Sequence, residues 1–199
     1  MKSNVCKIEH GTKDLSAILK ESEKVAVYNE LNHKQTMQLR LLCEEADGML
    51  PNIIDKFSGD FWIEFEKGVC KIFISFAFKE FTTEKKDGLV DISTKKKNAA
   101  AHGVVGKIRS ALENVFLDVE PTHGYNLSES SAYYPMDFRD CTDYSSVWSL
   151  EQYRSTVRRE EQTAAWDELE KSVIASLADD VIVGVRGKRA DIIIVKKFV

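Results

Sequence analysis

The sequence predicts an α+β protein, a two-layer α/β sandwich with helices on one face of a mixed β-sheet. Three observations carry that reading. First, the apolar residues of 39–78 change period. Leu39, Leu42, Ala46, Met49, Ile53 and Phe57 recur at helical spacing, whereas Phe61, Ile63 and Phe65, then Cys70, Ile72, Ile74, Phe76 and Phe78, alternate. A switch from a period of about 3.6 to about 2 marks a helix feeding a β-hairpin. Second, the chain closes on another hairpin, 181–185 and 190–195 around Gly187-Lys188. Third, helices alternate with hairpins rather than with single strands, which points away from a doubly wound parallel sheet.

The 199 residues fit one domain, 1–199, large enough to bury a core without staples. A net charge of −4 argues against broad electrostatic binding of nucleic acid. No apolar run reaches the roughly eighteen residues of a membrane span, and the stretch MKSNVCKIEHGTKD lacks an apolar signal core. Cys6, Cys43, Cys70 and Cys141 are widely spaced with no C-x-x-C. They fit neither a zinc knuckle nor a dense disulfide framework, and read as reduced thiols of a cytoplasmic protein.

Residues 5–9 alternate and suit an edge strand. Leu15, Ile18, Leu19, Val25 and Tyr28 make 14–30 an amphipathic helix. Asn32 caps a second helix reaching about Phe57, with a bend expected at Gly48 and Pro51. The hairpin turns at Lys67-Gly68. The charged stretch 79–98 has no sustained period and reads as a loop with one apolar island, Leu89-Val90-Ile92. A helix follows from Asn98 to about Leu117, with Ile108, Leu112, Val115 and Phe116 as its buried stripe. Residues from 118 to about 160 read as an insertion, irregular at least to Tyr144. A serine near 149 caps a charged helical stretch, and Trp166, Leu169, Val173, Ile174 and Leu177 mark a last helix ending near Asp179. The nearly continuous β-branched residues of the closing strands imply central or doubly covered strands. No repeat occurs at solenoid spacing.

Two features suggest chemistry. Glu44 and Glu45 interrupt an otherwise apolar helix, and Glu45 shares a face with Leu41, Leu42, Met49 and Asn52. An inward carboxylate there suits a general base or a group that orders a metal or water. The alternative is a solvated Glu44 and a structural Glu45. In His102-Gly-Val-Val-Gly106, Gly103 and Gly106 open a helix whose N–H groups suit a phosphate, with Lys95, Lys96, Lys97 and Lys107 nearby. Close helix packing and a solvated basic face are the alternatives. The four histidines show no metal-ligand spacing, so no metal centre of the transition type is expected. Walker A, G-x-S-x-G, H-E-x-x-H and G-x-G-x-x-G are all absent. Trp148, Tyr153 and Trp166 suit packing.

Taken in order, RLLCEEADGMLPNII, GDFWIEFEKGVCKIFIS, HGVVGKIRSALE and VIVGVRGKRADIIIVKK resemble the glutamate helix, hairpin, glycine box and closing strands of the histidine-kinase-like (GHKL-type) ATPase superfamily. The small bacterial-type anti-sigma-factor serine kinases are nearest in size. The resemblance implies ATP and magnesium as cofactors. It places the base at Glu45 (Glu44 in the other registration) and the phosphate contacts at Gly103, Gly106 and Lys107. Asn52 is the nearest asparagine for the nucleotide site, but Met49 or Gly48 stands where the family's magnesium asparagine belongs. Phe76-Ala77-Phe78 replaces its adenine-reading aspartate. The function implied is therefore a regulatory, interaction-type relative with weak or lost ATP hydrolysis that acts by binding another protein. An active anti-sigma-type serine/threonine kinase using Glu45 is the alternative.

Overall fold

A computed structural model describes residues 1–11, 15–54, 56–78, 103–117, 146–159, 172–186 and 189–198. The elements run β1 (Cys6–Glu9), α1 (Leu15–Tyr28), α2 (His33–Ile53), β2 (Phe57–Glu66), β3 (Val69–Phe78), α3 (Gly103–Leu117), β4 (Ser146–Ser149), α4 (Leu150–Arg159), α5 (Val173–Leu177), β5 (Asp180–Arg186) and β6 (Arg189–Lys197). The strands form one six-stranded sheet in the order β1-β2-β3-β6-β5-β4.

Every pairing in that sheet is antiparallel, so the mixed sheet expected from the sequence is corrected. The reason is local. Two tight hairpins, β2-β3 and β5-β6, meet through β3 and β6, and these also run antiparallel. In the first hairpin Lys67 (φ 49°) and Gly68 (φ 79°) both take the left-handed conformation. Such a two-residue turn matches the right-handed twist of its strands.

The order reads outward from a central seam: β1-β2-β3 on one side, β4-β5-β6 mirrored on the other. Each half runs strand, helices, hairpin. One register row crosses the four central strands, with Trp62 opposite Phe73, Phe73 opposite Ile193, and Ile193 opposite Ile182.

Alternation sorts the two faces. Phe61, Ile63, Phe65, Cys70, Ile72, Ile74, Phe76, Val181, Val183, Val185, Ile192 and Ile194 point into one core with the buried faces of the helices. Burying each large apolar side chain contributes about 1.5–3 kcal/mol. Leu39, Leu42, Cys43, Ala46, Met49, Leu50 and Ile53 make α2 the central helix of that layer, with Ile18 and Val25 from α1 and Val104, Ile108 and Leu112 from α3 beside it. The opposite face carries Trp62 stacked on Phe73 with centroids 4.9 Å apart. Lys2 lies over Trp62 at 4.8 Å, and the Trp62 Nε1–H donates to Glu64 at 2.9 Å. The closing strands are central, as their composition predicts. Val181 and Val183 are buried on the core side, and Ile182 and Ile193 keep only 3% and 7% exposure on the other.

Asn32 caps α2 as expected. Its side chain accepts from Gln35 N–H, and Gln35 reaches back to the Asn32 N–H, each at 3.0 Å. This reciprocal pair satisfies two of the helix's orphan donors. Pro51 lies in the last turn, where its missing N–H costs one bond, and the helix continues to Ile53. The helix stops short of the expected Phe57, because Phe57 already opens β2 opposite Phe78.

The N-terminal strand carries an irregularity. Lys2 bridges to Glu64 while Cys6 pairs with Phe61, so four steps on one strand face three on the other. The extra residue forms a β-bulge. The freed Asn4 N–H donates to the buried Glu21 carboxylate of α1 at 3.0 Å.

The segment read as an insertion contributes to the sheet. Residues 146–149 form its sixth strand, and Leu150 at the head of α4 is fully buried in the core. Residues 79–102 and 118–145, and with them the expected loop, most of the insertion and the lysines 95–97, lie outside the described residues. So do 160–171, which held the start of the last expected helix. Its described part is the five-residue α5, capped by Ser172.

Candidate functional site

α2 carries both candidate acids, on opposite flanks of its buried stripe. Arg40 Nε donates to Glu44 at 3.1 Å one turn away, and Arg40 Nη1 lies 3.4 Å from Glu23 of α1. Glu44 therefore helps tie α1 to α2 at the surface. Exposed ion pairs of this kind contribute up to about 1 kcal/mol.

Glu45 is half-buried on the other flank. It shares a helix face with Asn52, seven positions on. Asn52 is exposed, and its side chain only meets the Gly48 carbonyl at 3.4 Å. Its backbone carbonyl receives Arg109 Nη1 of α3 at 3.5 Å. A cation there complements the negative end of α2. This flank thus faces α3, and Glu45 with it.

Gly103 opens α3, and Gly106 is buried within its second turn. A buried helical glycine is compatible with close packing, the alternative weighed from the sequence. Lys107 does not converge on Glu45. Its Nζ lies 5.4 Å above the Tyr153 ring of α4, which in turn sits 6.1 Å from Trp148. Residues two apart on a helix diverge by about 200°, so Lys107 turns toward α4 while Arg109 turns toward α2. Arg109 was not singled out from the sequence, and its offset from Lys107 is the signal that could have found it.

The end of β3 is tightly packed. Phe76 is fully buried and meets Phe57 edge-on at 6.2 Å, with His10 against the far side of Phe57 at 6.0 Å. Across the ladder, a Cβ on Gly59 would lie 2.3 Å from the Ser75 carbonyl oxygen and 2.8 Å from Phe76 Cα. Phe76 thus fills the layer between sheet and helices beside the end of α2.

One carboxyl that the sequence reading passed over is perturbed. Burial raises the pKa of Asp47, which no described residue hydrogen-bonds. It lies on the α1 side of α2, away from the Glu45–Asn52 face, so the two acids do not form a pair. Nothing in its neighbours Ala46 and Gly48 signals that placement. Among the described residues, no three His, Cys, Asp or Glu side chains group as a metal site. No described helix is long and apolar enough to cross a membrane.

The arrangement binds these candidates into packing and capping more than into a reaction centre. Glu45, like Asp47, keeps a half-buried carboxylate with no hydrogen bond or ion pair to a described residue. No protein-family model, curated protein or solved structure matches this chain.

Proposed function

We propose that the chain is a regulatory, protein-binding domain with a sandwich of the histidine-kinase-like ATPase type and weak or absent ATP hydrolysis. The observation that carries this reading is the fully buried Phe76, at the position where the sequence resemblance would put that family's adenine-reading aspartate. Two further placements support it. Glu44 is committed to Arg40, and Lys107 is turned onto Tyr153. Meanwhile the outer side of the α1-α2 pair exposes apolar side chains that the core does not use. Val27 is 79% exposed, Tyr28 72% and Met37 51%. A shallow depression lined by Met1, Lys20, Glu23, Lys24, Val27 and Tyr28 lies on the same side. Binding through this surface requires no catalytic group.

The test is calorimetric. A ligand specific for the native state stabilises it by about 2.7 kcal/mol at a hundredfold excess over its Kd. For a chain of this size that raises the melting temperature by about 5–11 °C. The expected result with millimolar ATP and magnesium is no shift. A clear shift that survives Glu45→Ala, with measurable hydrolysis that the same substitution abolishes, would replace this reading with the kinase.

A further inference from the structure

We draw no further inference here: the strongest candidate, the apolar row of Trp62, Phe73, Ile193 and Ile182 across the sheet face turned away from the helices, carries nothing because, beyond Lys2 over Trp62, no described residue shows what covers it.

Discussion

Replacing Glu21 with alanine tests how the N-terminal strand is held. Glu21 is 8% exposed on α1 and accepts from Asn4 N–H at 3.0 Å, Asn4 Nδ2 at 3.1 Å and Lys24 Nζ at 2.6 Å. Hydrogen bonds to a charged acceptor contribute about 1.5–3 kcal/mol each. The Asn4 side chain can turn to water once its acceptor is gone, so its bond counts in part. Lys24 is largely exposed, so its pair counts little. The Asn4 backbone N–H, freed by the bulge, counts in full. Glu21→Ala is therefore expected to cost about 2–4 kcal/mol, which lowers the melting temperature by about 4–16 °C. Hydrogen exchange should show residues 1–9 losing protection first.

The pH dependence has a defined sign. The Lys24 hydrogen bond, reinforced by both Asn4 donors and opposed by burial, holds the Glu21 carboxyl below its ordinary range. A depressed folded pKa gives stability that is present above the unfolded value, near 4.3, and lost as pH falls through the folded one. The gap between wild type and Glu21→Ala should narrow as pH falls below about 4. A gap under about 0.5 kcal/mol at neutral pH, the range of ordinary surface changes, or one that stays constant into acid, would refute the reasoning.

Other substitutions separate packing from surface. Gly59→Ala forces a Cβ against backbone at 2.3 Å, so thermal melts should show a loss of at least about 1–3 kcal/mol. Gly48→Ala meets nothing within 4 Å on an exposed helical face and should stabilise by about 0.5–1 kcal/mol. Equal melts for the two would contradict both placements. Burial pushes the Cys70 thiol up to about 12, and raises Cys43 through burial first and then through Cys70, Glu44 and Cys6. At pH 8 both should alkylate only as the protein unfolds, and peptide-resolved mass spectrometry showing rapid native labelling would count against that. Val27→Lys and Met37→Lys should each leave stability within about 0.5 kcal/mol; a larger loss on melting would mean that these side chains serve the fold rather than a partner.

The alternating runs at 61–65 and 70–78 specified β2 and β3 because one face of each strand is buried and the period of two survives in the side chains. The cap at Asn32 was legible for a similar reason, since a cap is set by residues close in sequence, whereas its reciprocal partner Gln35 was not singled out. The antiparallel β3-β6 seam was not legible. It depends on which hairpin edge meets which, and Ile72 opposite Ile194 leaves no local mark. The short β4 was hidden because its four residues are too few to show a period. At the candidate site the sequence located the acids but not their directions. Glu44 and Glu45 differ by one helical step, and only the partners Arg40 and α3 decide which is tied down. The direction of Lys107 was hidden for the same reason, because its aromatic partner lies 46 positions away in Tyr153.

The mirrored order of the sheet has a consequence for how the chain is made. β3 is synthesised directly after its partner β2 but more than a hundred residues before its other partner β6, whose first residue is Arg189. Until β6 has been synthesised, β3 offers an open edge flanked by core side chains. An open apolar edge is a template for pairing with another chain. Seams between distant segments also form slowly, because the loop must close before its contacts are gained. β6 therefore joins the two halves and closes the open edge of β3 through which the nascent protein could associate with its own copies.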